Sequence, residues 1–297
     1  MSAQTQFAAK VKDLIAQSKN LSLHARKQVL ELLDEARKKI IGDLRGINPE
    51  SFSAAQLNTL KQSIERAMTQ FGAQATSTID ALETTGYNLG ARTVAQPLVA
   101  AGLESSMLGQ VDTAKLKIVQ GYTADLITGL SRDAAAKVNS TIQRSFLGGQ
   151  KVDDIIKQIG RALDDEKGFT GLFSPIGRRA TSIAMNEIGR VNSMASQARM
   201  EDAVEHHPDL QKQWHHLAIA MVPRPGHIAA DGQVVNVDEP FIVEGEALMF
   251  PRDPSGSAEN TIGCHCMQAP YFAEDVLKPN DGQKSLLDQL GISVKAA

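Results

Sequence analysis

The sequence predicts an α+β protein, with a predominantly helical N-terminal body followed by a small, loop-rich α+β module. Three observations support this fold class. Apolar residues recur every three or four positions through the first two-thirds of the 297-residue chain. After His207-Pro208 turn-forming residues become frequent, and short β-prone runs lie between the turns. We therefore expect four segments, at residues 1–110, 111–207, 208–275 and 276–297.

The helical body is predicted from a series of amphipathic stripes. The clearest runs from Val29 to Ile40, with apolar residues on one face and charged residues on the other. Pro97 would stop or kink one later helix, Gly148-Gly149 would end another, and Asp153 or Gln150 would cap the next. Further helices are predicted at residues 53–71, 76–94, 116–146, 152–163 and 178–204, with a polar linker at 164–175.

The C-terminal module is predicted from its turns and short strands. Asp231-Gly232 is expected to form a tight hairpin turn, because glycine tolerates positive φ. After the module we expect one short helix and a tail, from Asp281 to Ala297. Strands are predicted at residues 217–219, 234–237 and 241–243.

Composition argues against several functional classes. Aromatic residues make up only 4% of the chain, which disfavours a base-stacking platform, and a net charge of −3 disfavours a uniformly basic DNA-coating protein. No apolar run reaches the ~18 residues of a membrane span, and the first residues lack the pattern of a signal peptide.

The two cysteines, Cys264 and Cys266, are one residue apart. A disulfide across so short a loop would be strained, so we expect reduced thiols in a protein made in the cytoplasm.

A set of short motifs occurs in a characteristic order between residues 115 and 270. This order resembles the Mu F-like phage head morphogenesis domain. The resemblance rests on the ordered set, because no single piece is specific. The pieces are Tyr122–Leu163 with its Gly148-Gly149, the helix from Arg178 to Asn192, Trp214, Pro223–His227, Ala230–Val235, Pro240-Phe241, Met249–Pro254 and Glu259–Cys266.

The resemblance implies a structural bacteriophage protein and not an enzyme. It implies a minor head (capsid) protein of the virion, associated with the portal, assembled in the host cytoplasm, and acting in head morphogenesis and in genome packaging or release. The expected partners are the portal protein and sister subunits in a ring or several copies, with genomic DNA as a further candidate and no membrane. Apolar helix faces, including Leu33 and Ile64, would contact these partners. The alternatives are a head–tail connector component or an internal protein ejected with the DNA.

The best candidate metal site consists of His227, Cys264 and Cys266. In an extended segment, residues two apart point to one side, so both thiols can face one ion while His265 points away. Three nitrogen and sulfur ligands plus a fourth group would suit tetrahedral zinc. Candidates for the fourth ligand are His215, His216 and Asp231. The alternative interpretation is that the thiols pack as small buried groups and His227 hydrogen-bonds a turn.

The histidine doublets His206-His207 and His215-His216 raise the alternative of a zinc-dependent nuclease or toxin. A nuclease of the His-Asn-His type needs a ββα unit with a general-base histidine, and no matching third element follows. Solvated turn and edge positions explain the doublets better.

On the last predicted long helix, Glu187 and Arg190 have the i, i+3 spacing of a salt bridge. No catalytic residue is predicted, since no phosphate loop or nucleophile elbow occurs.

Overall fold

The computed structural model describes residues 2–47, 53–103, 112–160, 163, 169–218, 224–273 and 276–277. The helical body contains α1 (Ala3–Arg45), α2 (Ala54–Ala100), α3 (Ala114–Leu147), α4 (Val152–Ile159) and α5 (Phe173–Val204). The rest, residues 210–272, is called the C-terminal unit. It contains β1 (Gln211–His215), α6 (Pro225–Ala229), β2 (Val234–Asn236), β3 (Phe241–Val243), β4 (Glu246–Leu248), α7 (Ala258–Thr261) and β5 (Met267–Tyr271). The predicted α+β class is confirmed.

The first two helices are longer than predicted. The stripe at residues 29–40 is the middle of α1, which begins at Ala3 after an N-cap in which Ser2 accepts from the Thr5 N–H. Two predicted helices, 53–71 and 76–94, are one continuous helix, α2, which starts after Ser53 as expected and has a capping box between Ser53 and Gln56. The prediction of a break was wrong because the buried stripe continues through Gly72 and Ala75.

Glycine and proline positions define the later helix boundaries. Gly149, at φ 69°, lies just beyond the end of α3, as predicted. Gly160, at φ 114°, ends α4 after Ile159 and not at residue 163, and its N-cap is Lys151, without a side-chain hydrogen bond. The chain enters α5 at Phe173, so the predicted linker 164–175 overlaps the helix, and residues 164–168 lie outside the described ones. Pro97 falls inside α2, which continues to Ala100.

One apolar core unites the helices of the body. Residues from α1, α2, α3 and α5 contribute to it, including Leu33, Ile64, Ile127 and Phe173, each fully buried. Helices before and after residue 110 therefore share this core. In the described part of the chain, no helix carries an apolar stretch long enough to cross a membrane.

Two glycines let α2 and α5 approach closely. A Cβ at Gly90 would lie 2.1 Å from the Asn192 carbonyl oxygen, and one at Gly86 would lie 3.1 Å from that of Ile188. The Asn192 side chain donates a 3.0 Å hydrogen bond to the Gly86 carbonyl. Because a larger residue at position 90 would push the backbones apart, this contact fixes the position of α5, which supports the C-terminal unit.

The C-terminal unit contains a three-stranded antiparallel sheet in the order β2-β1-β5 and a β3-β4 hairpin. In the hairpin turn, Glu244 and Gly245 have φ of 51° and 82°, the backbone of a type I′ turn. Pro270 lies on the edge strand β5, where its missing N–H breaks no ladder between two neighbours. The small core of the unit is built around Trp214 and Phe241, both fully buried.

The strands at 234–236 and 241–243 confirm two predictions. The strand predicted at 217–219 is wrong for Leu217 and Ala218, which follow the end of β1, and Ile219 lies outside the described residues. Asp231-Gly232 turns the chain from α6 into β2 and does not join two strands directly, although Gly232 has the expected positive φ of 81°. The helix predicted at 281–297 lies outside the described residues.

Candidate metal centre

The C-terminal unit rests on a polar face of α5. Asn186 Oδ1 accepts a hydrogen bond from the Gly263 N–H at 3.1 Å. Three helical turns later, Gln197 Nε2 donates to the Val237 carbonyl at 2.9 Å. Residues eleven apart lie on one side of a helix, so a single face of α5 contacts the unit at two separate points.

A buried arginine crosses the same contact. Arg252, 2% exposed and at φ 68°, donates from Nη1 to the Cys266 carbonyl at 2.9 Å. Its guanidinium lies directly over Gly189 of α5, where a Cβ would be 2.2 Å from the arginine Cζ. Gly189 therefore provides the space through which Arg252 reaches the segment between the two cysteines and β5.

The three predicted metal ligands come together beside this contact. His227 lies in α6, and Cys264 and Cys266 lie in the extended segment between α7 and β5. One ligand atom from each lies within 4.8 Å of the others, and exposure of the three residues is only 1–2%. Among the described residues, this is the group of three or more histidine, cysteine or acidic side chains that can hold a metal ion.

The contacts orient the imidazole of His227. Its Nδ1 lies 3.5 Å from Cys266 Sγ, and its Nε2 lies 3.2 Å from Asn260 Oδ1. Asn260 Nδ2 in turn donates to the Val243 carbonyl at 3.4 Å, which directs the amide oxygen towards the histidine. Trp214 packs edge-on against the ring, with 6.0 Å between centroids. The aromatic packing and the amide contact hold Nδ1 towards the thiols.

The two thiols differ in acidity. The pKa of Cys264 is lowered by a hydrogen bond from Cys266, against the effect of burial, and His227 and the positive charge of Arg252 lower it further. The pKa of Cys266 is raised, because its proton is held by Cys264 and burial disfavours a second thiolate. A hydrogen bond with Cys264 raises the pKa of His227, although burial acts in the opposite direction. Hydrogen bonds from Cys266 and His227 and the charge of Arg252 thus all act on the Cys264 sulfur.

The candidates for the fourth ligand differ in position. His216 follows β1, and its Nδ1 lies 3.6 Å from Cys266 Sγ. The side chain of Asp231 accepts a 2.8 Å hydrogen bond from the His216 backbone N–H, which gives Asp231 a structural contact. All three candidates line one cleft against α1, so the short distance to Cys266 Sγ is what distinguishes His216. The structure therefore brings His216 towards the cluster.

His265, which was expected to point away, lines a separate small cavity with Leu217 and Arg252. Burial, together with the charge of Arg252, lowers its pKa to about 4, so the imidazole is neutral at pH 7.

On α5, Glu187 and Arg190 form the expected ion pair at 3.3 Å. The histidine doublet His206-His207 follows the end of α5, and His206 is exposed there.

Sequence reasoning missed Asn260 and Arg252. Asn260 follows the N-cap Ser257 of the short helix α7, and its role depends on a partner 33 residues away, which no local pattern reveals. Arg252 has a positive φ, which is uncommon outside glycine and depends on the tertiary environment.

Comparison with known proteins agrees with this architecture. Residues 136–269 match the family described as phage Mu protein F like protein. The uncharacterized protein YqbB of Bacillus subtilis is 35% identical over 103 residues, which are 33% of this chain and 32% of YqbB. The NAD(+)–arginine ADP-ribosyltransferase EFV of Enterococcus faecalis is 36% identical over 90 residues, which are 30% of this chain and 18% of that protein. No solved structure matches.

The chain spans about a third of one relative's length and under a fifth of the other's. The match runs from within α3 to β5 and includes the α5 contact and all three candidate ligands. The family suggests a bacteriophage protein of head morphogenesis, and thus a component of the virion. The resemblance predicted from the ordered motifs is confirmed, because residues 136–269 match the phage Mu protein F like family.

Proposed function

We propose that this chain is a minor head protein, located at the portal of the phage head, which helps to organise genome packaging or release. The observation that carries the proposal is the family match over residues 136–269. These residues form a continuous block in which α5 packs on the helical body and also supports the C-terminal unit. The proposed partners are the portal protein and sister subunits, with genomic DNA as a further candidate.

The proposed mechanism is binding without catalysis. The side chains of His227, Cys264 and Cys266 are almost completely buried, so a substrate cannot reach them in this conformation. A catalytic metal also needs an open coordination position, which a buried set does not offer. The similarity to an ADP-ribosyltransferase covers only 18% of that protein, so its name gives little support for the same activity here.

The contact surface must differ from the one first expected. Leu33 and Ile64 are fully buried in the core of the body, so the expectation that these positions meet a partner was wrong. Exposed apolar side chains occur instead on α3, where Ile118 and Tyr122 are 72% and 50% exposed and lie one turn apart. We propose this pair as part of the surface that contacts other head proteins.

The test is the composition of particles of the phage that encodes this chain. Mass spectrometry would compare whole particles, isolated heads, isolated tails and heads that have released their DNA. A minor head protein is expected in heads before and after DNA release. Recovery only with tails would favour a head–tail connector, and loss with the DNA would favour an ejected protein. Absence from all four samples would contradict a virion role.

Substitutions on α3 test the contact surface. Ile118→Asp and Tyr122→Asp place a charge where an apolar contact is proposed, so several-fold fewer copies per head are expected. Lys137→Asp is the matched control, because it changes charge at an exposed position on the same helix. Equal incorporation of all three folded variants would exclude this pair from the contact surface.

A cleavage assay separates binding from catalysis. We expect no cleavage of single-stranded or double-stranded DNA by the purified chain in the presence of Mg²⁺, Mn²⁺ or Zn²⁺. Metal-dependent cleavage that disappears in His216→Ala but remains in His206→Ala would contradict the proposal and support the nuclease alternative.

A further inference from the structure

Two distances at Cys266 have the length expected around a zinc ion. Its Sγ lies 3.5 Å from His227 Nδ1 and 3.6 Å from His216 Nδ1. With Zn–S bonds of about 2.3 Å and Zn–N bonds of about 2.0–2.1 Å, tetrahedral geometry separates a sulfur and a nitrogen ligand by about 3.6 Å. The Cys266 thiol has one proton, which cannot be shared among Cys264 and both nitrogens, whereas one ion between these atoms would bind them all.

The hydrogen bond to Asn260 selects the tautomer of His227 that a metal requires. The Asn260 amide oxygen only accepts hydrogen bonds, so the histidine nitrogen that faces it, Nε2, carries a proton. In the neutral imidazole, Nδ1 then has a free lone pair, and this atom faces Cys266. Metal-binding histidines are commonly held by such a second hydrogen bond.

A backbone N–H and a guanidinium lie beside the sulfur of Cys264. The Cys266 backbone N–H lies 3.4 Å from Cys264 Sγ and donates to it. The guanidinium of Arg252 adds a positive charge nearby. A thiolate is the form of cysteine that binds a metal ion.

His216 has a fixed backbone close to the same ion position. Its N–H donates to Asp231 Oδ1 at 2.8 Å, which holds the end of β1 against the turn after α6. Its side chain is half-buried, and its Nδ1 lies near the sulfur of Cys266, one of the three buried ligands.

We propose that His216, His227, Cys264 and Cys266 bind one zinc ion with tetrahedral coordination. Four protein ligands leave no open position, so the ion has a structural role. It would fasten the end of β1, the helix α6 and the segment that leads into β5, three parts that are distant in sequence. This inference does not depend on the proposed role in the phage head.

The first test is the metal content of the full chain, purified without added metal or a histidine tag. Close to one zinc ion per chain is expected, with loss of zinc in Cys264→Ser and Cys266→Ser. Replacement by Co²⁺ should give the visible bands of tetrahedral coordination and a thiolate charge-transfer band in the near ultraviolet. Absence of zinc from the native chain, together with absence of these Co²⁺ bands on titration, would overturn the proposal.

The second test concerns the fourth ligand and the second hydrogen bond. His216→Ala should shift the Co²⁺ spectrum and weaken zinc affinity, because water would replace one imidazole. Asn260→Ala should weaken affinity about 10–100-fold without changing the number of ligands. His206→Ala is the matched control, an exposed histidine outside the cluster, and should change neither quantity. Wild-type spectrum and affinity in His216→Ala would exclude His216 as a ligand.

Discussion

The helical body and the C-terminal unit are both densely packed, but different chemistry holds them together. In the body, the largest fully buried side chains are apolar, such as Leu33, Ile64 and Phe71. In the unit, polar and charged side chains are also buried, each with 6% exposure or less. These are Lys212, His227, Arg252, Asp253, Asn260, Thr261 and Gln268.

This difference shows where each region is vulnerable. Apolar burial in the body depends little on protonation or bound ions, so, apart from the buried carboxyl of Glu83, its stability should respond mainly to changes in side-chain volume. Each buried polar group in the unit needs a partner in the correct protonation state, because an unpaired one costs free energy. The unit should therefore respond to pH, to metal removal and to the loss of single hydrogen-bonding groups.

The largest effect is expected from a cavity in the body. Ile64→Ala removes three carbon atoms from a fully buried position on α2 and should lower the free energy of unfolding by about 2–5 kcal/mol. Urea unfolding followed by helical circular dichroism measures this change. A loss below about 1 kcal/mol would mean that the apolar core does not dominate the stability of the body.

A smaller loss of unfolding free energy is expected when the buried amine of Lys212 is removed from the C-terminal unit. Lys212 Nζ donates to the Met249 carbonyl at 2.8 Å and to Gln197 Oε1 at 3.2 Å, and it lies 5.1 Å from the centre of the Phe241 ring. Lys212→Ala leaves both acceptors without this donor and should cost about 1–3 kcal/mol. Hydrogen exchange of β1 and β5 amides is the readout.

The exposed Lys61→Ala is the control for that measurement, with an expected change within about 0.5 kcal/mol. Equal exchange in the two variants would show that Lys212 is not needed to hold the unit.

Titration of Lys212 should make the stability of the C-terminal unit depend on pH. Burial lowers its pKa from 10.5 to about 8. Between pH 8 and 10.5 the unfolded chain therefore binds more protons than the folded one, and the stability of the unit rises with pH. This rise should disappear in Lys212→Ala. A rise of the same size in both proteins would assign it to another group.

Titration of Glu83 should give the stability of the helical body the opposite pH dependence. Its side chain is fully buried, and burial, together with the negative charges of Asp80 and Glu187, raises its pKa to about 7 from 4.5, although Thr123 donates to it at 2.7 Å. Between these pH values the folded chain binds more protons, so the free energy of unfolding falls as pH rises. Glu83→Gln should flatten this fall in pH-dependent urea unfolding. A fall unchanged in the variant would contradict the assignment.

The sequence predicted the existence of the helices better than their lengths. The stripe around Val29 and the capping residue Ser53 are local signals, and both lie where helices form. Gly72 lies inside α2 where α3 packs closely against it, because a Cβ there would lie 2.5 Å from Ser131 Oγ. The need for glycine at this position comes from the neighbouring helix and is not visible in the local sequence. The four-residue spacing of Gly86 and Gly90 was a readable signal of close helix packing.

Three strands, β1, β4 and β5, were missed, and for β1 and β5 the reason is identifiable. In β1, Lys212 and Trp214 both face inward, and a lysine at a core position hides the alternation that marks a strand. In β5, Pro270 is a poor strand former, and four of the five residues are buried, so no alternation exists. The proximity of His227 to Cys264 was predicted, whereas the contribution of Asn260 required the fold.

The most direct test of the difference between the two regions is hydrogen exchange of the full chain with and without a strong zinc chelator. The account predicts much faster exchange after chelation in β1, α6 and β5, with unchanged exchange in α1 and α2, because only the C-terminal unit is held by the proposed ion. Unchanged exchange in both regions, or equal acceleration in both, would contradict it.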